Sequence, residues 1–247
     1  MDSDNNNRFV YRMDKKSRGT AIIINNTFKS SSRYFERKSG NDETKIHARL
    51  QDFEFEVDLK NNLSRDEMLN LMIDTGKNMT ESDCFMCIIM SYGEEGIVYG
   101  NDEKPISMKK LMEPFKGDKC KVLAGQPKIF IVQACPPREQ NVLDNAENVE
   151  YKTQKIPVEA DFLTVFSVIP GHLAWESKEK NSWFIDSLSE TLDEYHDSLR
   201  FQKMDFLRLM TRVNNKVWQK LKSKKHFDLN IPYITSLLTK FIYFPEK

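Results

Sequence analysis

The chain has 247 residues, with 37 basic and 37 acidic side chains, 39% apolar residues and 30% charged ones. That describes one sizeable globular domain or two small ones, and a net charge of zero gives no electrostatic reason to expect nucleic acid or an anionic membrane as partner. No run is apolar for the roughly 18 residues a transmembrane helix needs, and the opening MDSDNNNRFVYRMD has no apolar core, so a cytoplasmic protein with reduced thiols is expected.

Residues 1–10 are polar and Asn-rich and read as a short disordered tail. Thr20 to Ile24 is a buried strand that ends in Asn25-Asn26. Phe53, Phe55, Val57 and Leu59 alternate with polar residues, the pattern of a half-exposed strand near a sheet edge. Ser64-Arg65-Asp66-Glu67 has capping-box spacing and opens a helix with Met68, Leu71 and Met72 on one face. Cys84 to Met90, Lys128 to Ala134 and Ala160 to Ile169 are three further apolar strands. Helices follow from Ser182 to about Tyr195 and from about Asp205 to Leu221, and a last strand runs near Ile234 to Phe244.

Cys84 and Cys87 form a C-x-x-C, but residues three apart on a strand point to opposite faces. No second Cys or His pair stands at zinc spacing, so they read as small core residues, and neither a metal nor a cofactor is expected. Near-continuous apolar strands separated by helices imply an α/β fold with a mainly parallel sheet covered on both faces. Chemistry in such sheets gathers at the carboxyl ends of the strands. Two such ends stand out, Ser91-Tyr92-Gly93-Glu94-Glu95-Gly96 and Gln133-Ala134-Cys135, with a polar linker at 138–154 behind the second.

The chain resembles a caspase of the executioner type from Tyr11 to Phe244. The matching segments, in order, are YRMD (11–14), AIIINN (21–26), SGND (39–42), GEEG (93–96), GQPKIFIVQAC (125–135), KIPVEADFL (155–163), NSWFIDSL (181–188), TRVNNKV (211–217) and IPYITSLLTK (231–240). The resemblance implies a six-stranded, mainly parallel sheet with helices on both faces. It implies a large-subunit part at 11–137, an intersubunit linker at 138–154 with Asp144 as its processing site, and a small-subunit part at 155–247. It also implies pairing of two units through the last strand, with Ile234, Ser236, Leu238 and Lys240, and a role in apoptosis. Active members of the family are cysteine proteases that cut after aspartate.

The family site maps residue by residue. Cys135 holds the nucleophile position, and the backbone N–H groups of Gly93 and Cys135 hold the oxyanion hole. Tyr92 stands where the family has its general-base histidine. A tyrosine titrates near pH 10 and makes a poor base at pH 7. Of the four histidines, His47, His172, His196 and His226, only His172 falls in a loop that borders the groove in the family. In the pocket for the substrate's aspartate, Gln133 matches the family glutamine, and Trp175 and Trp183 are further pocket positions. The first pocket arginine is replaced by Lys38, with Arg37 one residue away. The second is Glu176, which reverses the sign of a contact worth roughly 4 kcal/mol at 4 Å and an effective dielectric near 20. Pro136-Pro137 follows the cysteine where the family has Arg-Gly. The expectation is a protein that is not an enzyme and that regulates an active caspase by heterodimerisation. The alternatives are a decoy for caspase inhibitors or adaptors, and a working cysteine endopeptidase of altered specificity.

Overall fold

A computed structural model describes residues 8–31, 36–37, 41–94, 96–135, 160–167, 182–197, 204–223 and 231–246, with the backbone alone at 135 and 197. In chain order the elements are β1 (Thr20–Asn25), α1 (Asp42–Asp52), β2 (Glu56–Asn61), α2 (Arg65–Asn78), β3 (Phe85–Glu94), β4 (Ile97–Tyr99), β5 (Pro105–Ser107) and α3 (Met108–Met112). They continue with β6 (Lys128–Cys135), β7 (Phe162–Phe166), α4 (Trp183–Asp197), α5 (Phe206–Ser223) and β8 (Tyr233–Ser236).

The sheet runs β2-β1-β3-β6-β7-β8, with β4 and β5 forming a hairpin off the end of β3. All neighbours along that path are parallel except β7 and β8. This is the mainly parallel α/β sheet expected from the apolar runs. Each central strand feeds two cores by simple alternation. Ala21, Ile23, Ile88, Ile131 and Val165 pack with α1, α4 and α5 on one face. Ile22, Ile24, Ile89, Val132 and Phe130 pack with α2 and α3 on the other. Each such Ile or Phe contributes about 2 kcal/mol by leaving water. β2 is partly exposed and lies at the sheet edge, as its alternating pattern predicts. Cys84 packs in the first core and Cys87 in the second, so the C-x-x-C is split between faces.

Local signals account for the helices. Ser64 Oγ accepts from the Glu67 N–H and Glu67 accepts from the Ser64 N–H, so the capping box of α2 is formed. On α5, Phe206, Leu209, Met210, Val213, Val217 and Leu221 are buried along one stripe. The two ends of the chain are tied together at Tyr11. Its hydroxyl donates to Asp161 at 2.6 Å and accepts from the Thr239 N–H at 3.0 Å. Burial first, and Asp161 second, push the Tyr11 phenol up to about 12.

Four expectations need correction. β3 runs on to Glu94 rather than ending at Met90, because Gly93 and Glu94 pair with β4. The seventh strand is Phe162–Phe166 and not the longer 160–169. The last strand is only Tyr233–Ser236, so Ile234 and Ser236 lie in it and Leu238 and Lys240 do not. After Leu237, which still bonds to Phe162 O and Asp161 N, the segment leaves the sheet, and Phe241 pairs with Val10. For the same reason the tail is shorter than 1–10: Phe9 accepts from Phe241 N at 2.7 Å, and Tyr11 N donates to Phe241 O at 3.0 Å. Residues 1–7 and the linker at 138–154 lie outside the described residues.

Candidate active site

The carboxyl ends of β1, β3 and β6 meet at one edge of the sheet. The β3–β6 register pairs Met90 with Gln133, Ser91 with Ala134, and Tyr92 with Cys135. The tyrosine at the base position is therefore the direct cross-strand backbone partner of the nucleophile position. Tyr92 is 7% exposed, and its ring meets that of Phe28 edge-on at 4.9 Å between centroids. Tyr99 of β4 packs against the same pair. Phe28 holds its place with a left-handed backbone, φ 57°, and its N–H donates to Asn101 Oδ1 at 3.0 Å.

Gly93 is required by space. A Cβ there would lie 2.6 Å from the Ile97 carbonyl oxygen and 2.7 Å from the Ala134 Cβ. Only a glycine lets β3 pass this close to β6 and turn into the hairpin. Behind it, Ser91 Oγ donates to Tyr99 O at 2.7 Å, and Asn26 Nδ2 donates to the same carbonyl at 3.1 Å. These bonds fasten the end of β3 to the end of β1 and to the hairpin.

Arg37 reaches the same strand ends. Its guanidinium is buried, 2% exposed, and donates from Nε to Asn26 O at 3.0 Å and from Nη1 to Gln133 Oε1 at 3.4 Å. Nη2 also donates to Asn25 Oδ1. Those three bonds use three of its five N–H groups, and no further bond of the group is formed among the described residues. Of the two candidates Lys38 and Arg37, Arg37 is the one among the described residues, and Lys38 lies outside them. Two residues to which sequence reasoning gave no role in the site hold it there beside Gln133: Asn25 and Asn26. The Asn25-Asn26 pair at a strand end was the available signal, since two amides following an apolar strand must find partners. Asn25 finds Glu43 at 2.7 Å and Asn61 at 3.1 Å in addition to Arg37.

Asp42, the first residue of α1, is fully buried. Its Oδ2 accepts from the Ser182 N–H at 3.0 Å, just ahead of α4. Burial is the main cause that pushes its carboxyl up to about 7, with Asp186 adding to it and Ser182, Arg37 and Lys45 opposing. Trp183, the next residue after Ser182, is buried in the core beneath the sheet. Of the histidines, His196 sits against Phe53 at 6.2 Å, near the amino end of β2 and so at the opposite edge of the sheet from Cys135. His47 is on α1. His172, Trp175, Glu176, His226, Pro136, Pro137 and Asp144 lie outside the described residues. Among the described residues no group of three or more His, Cys, Asp or Glu is placed to hold a metal, and no helix is long and apolar enough to cross a membrane.

Comparison with known proteins bears directly on the chemistry. Residues 18–243 match the Caspase domain, a peptidase family. Caspase-3 of Oryctolagus cuniculus is 39% identical over 245 residues, which is 95% of this chain and 86% of that protein. Caspase-3 of Mus musculus is 38% identical over the same shares, and caspase-3 of Bos taurus is 36% identical over 99% of this chain and 90% of its own length. The expectation that the chain is not an enzyme, drawn from Tyr92, Glu176 and Pro136-Pro137, is overturned by this match to a peptidase family along nearly the whole domain. That inference weighed three substitutions, while the comparison weighs the whole framework that carries Cys135, Gly93 and Gln133. The α/β sheet, the strand-end site and the match over residues 18–243 together make this chain a member of the caspase family.

Proposed function

We propose that the chain is a cysteine endopeptidase of altered specificity that cuts after a residue bearing a carboxylate. The observation that carries this reading is the buried Arg37, bonded to Gln133 two residues before Cys135. A guanidinium with two unused N–H groups suits a planar carboxylate. The specificity is altered because the second pocket arginine of the family is Glu176 here, so one guanidinium must hold the substrate carboxylate against an added anion, and both affinity and discrimination against neutral residues are weaker.

In this reading the Cys135 thiolate attacks the carbonyl carbon of the scissile bond. The N–H groups of Gly93 and Cys135 bind the oxyanion that forms. The C–N bond then breaks, the amine leaves with a proton, and water hydrolyses the thioester to return the free thiol. The Tyr92 phenol has a proton to give to the amine but is a poor acceptor for the thiol proton. Attack then draws on thiol that ionises unaided, about 3% at pH 7 for an ordinary cysteine. Turnover is slow and climbs with pH through the ordinary thiol range. Two copies pair through β8, whose outer edge has no strand partner among the described residues.

The test is an internally quenched peptide library, varied at the residue before the cut, on the purified chain. Turnover is expected with Asp or Glu there, lost in Cys135→Ala, and weakened by about a hundredfold in kcat/KM in Arg37→Ala. Absence of any turnover that depends on Cys135, or a preference for cutting after lysine or arginine, refutes the proposal.

A further inference from the structure

We propose that the groove along the outer face of α2 is a docking site for an extended, acidic segment of a partner protein that carries aliphatic anchors. The groove shares no lining residue with the strand-end site around Arg37 and Gln133, so the inference goes beyond the proposed activity and stands apart from it.

Two cavities join end to end over this helix. One, of about 560 Å³, lies between α2 and the turn at Glu113 and Pro114 that follows α3. The other, of about 360 Å³, lies between the start of α2 and the β4–β5 hairpin. Leu69 and Lys110 line both, so the two form one groove. α2 presents two stripes to its surroundings. Met68, Met72 and Gly76 are its buried side. Leu69 and Ile73 stand on the next stripe, one helical turn apart, and are only partly covered. Gly76 shapes the floor: a Cβ there would lie 2.9 Å from the Pro114 carbonyl oxygen, so the helix approaches this turn as closely as it does because the residue is glycine.

The rim decides what fits. Arg65 pairs with Asp66 at 2.8 Å and Lys119 with Glu113 at 3.6 Å, so those charges answer each other. Lys77 and Lys110 also line the groove, are exposed, and make no ion pair among the described residues. An apolar floor thus lies under unanswered positive charge, in a chain whose net charge is zero. Arg65 and Lys77 mark the ends of the groove on α2, and at 1.5 Å per residue they stand about 18 Å apart along the helix. That is the span of five or six residues of extended chain. Lys110 sits where the two cavities meet and Lys77 towards one end, so cations recur along the length. A lipid or fatty acid brings a single anionic head and answers only one of them. An extended peptide turns alternate side chains to one face, which sets aliphatic anchors on Leu69 and Ile73 and leaves carboxylates for the lysines.

The experiment uses the full chain with Cys135→Ala, so that no peptide is cut, and a fluorescein-labelled probe, EDLEIDE, followed by anisotropy. Two control peptides keep its spacing: KKLKIKK reverses the charges, and EDSESDE removes the anchors. EDLEIDE should bind saturably and about tenfold tighter than either control. Lys77→Glu together with Lys110→Glu should weaken it about tenfold or more, and Ile73→Ser about tenfold. Lys109→Glu, a lysine beside the groove that does not line it, should leave the Kd unchanged. No saturable binding of EDLEIDE overturns the inference. So does binding that the Lys77→Glu, Lys110→Glu variant retains, or EDSESDE binding as tightly as EDLEIDE. The same double variant identifies other occupants. Decanoate or phosphatidylserine vesicles held by the parent chain and not by the variant, with EDLEIDE bound by neither, make the groove a lipid site and overturn the inference. A dimer in sedimentation that the variant dissolves makes it a face for a second copy, and overturns it too.

Discussion

Replacing Tyr92 by histidine tests the chemistry most directly. Tyr92 faces Cys135 across the β3–β6 register, so an imidazole there is delivered next to the nucleophile position by the strands themselves. The gain is worked from the missing step. A positioned general base contributes about 10²–10⁴-fold, and the wild-type thiol has only the few per cent of thiolate that it forms unaided. The cost is also readable. Tyr92 is 7% exposed and its edge-on contact with Phe28 at 4.9 Å is lost. Such a pair adds about 1 kcal/mol beyond burial, and the smaller ring leaves a gap worth about another 1 kcal/mol. A total near 2 kcal/mol is tolerable against a domain stability of about 5–15 kcal/mol.

The assay is kcat/KM on a fluorogenic peptide ending in aspartate, with the active-site thiol titrated so that rates are per competent site. Tyr92→His should raise kcat/KM at pH 7 by about a hundredfold or more and lower Tm by about 5 °C. The pH–rate profile should also change shape, from a continuous climb in the wild type to a plateau reached near neutrality. An unchanged rate in a variant that still melts cooperatively would refute the reasoning, because the thiol would then be ionised by a group other than the one at position 92.

Gly93→Ala should cost about 3 kcal/mol in a urea titration and abolish turnover, since its Cβ meets backbone at 2.6 Å and the Ala134 Cβ at 2.7 Å. Asp42→Asn should flatten stability against pH. The folded-state carboxyl titrates at about 7 against an ordinary 3.8, so the folded form binds the extra proton and stability falls as pH rises from about 4 to 7. At pH 8 the asparagine variant should therefore be more stable by roughly 3–4 kcal/mol, read from the urea midpoint at constant m. Tyr11→Phe should lose about 1–2 kcal/mol, because Asp161 keeps only the Thr239 hydroxyl at 2.7 Å in place of two side-chain donors.

Much of the architecture was legible before any coordinates, for one physical reason. Sheet strands buried on both faces must be apolar at every position, and β1, β3, β6 and β7 are short unbroken apolar runs. The edge position of β2 followed from its alternation, and the start of α2 from Ser64 and Glu67. The strand-end positions of Cys135, Tyr92 and Gly93 were likewise readable, because each sits at the end of such a run, whereas the roles proposed for them come from the resemblance to caspases. Short or irregular pieces were not legible. β8 ends at Ser236, with one more exchange between Leu237 and the start of β7, and the chain then turns away so that Phe241 pairs with Phe9, Val10 and Tyr11, partners that no local pattern encodes. The burial of Arg37 was likewise tertiary. A cation in a row of polar residues looks exposed in sequence, and only the amides of Asn25 and Gln133 and the carbonyl of Asn26, brought together by the sheet, give the planar fork of Arg37 its buried partners. Asp42 is the clearest such case. Its place at the start of a helix is ordinary in sequence, and its burial against Ser182, 140 residues away, exists only once the sheet has closed.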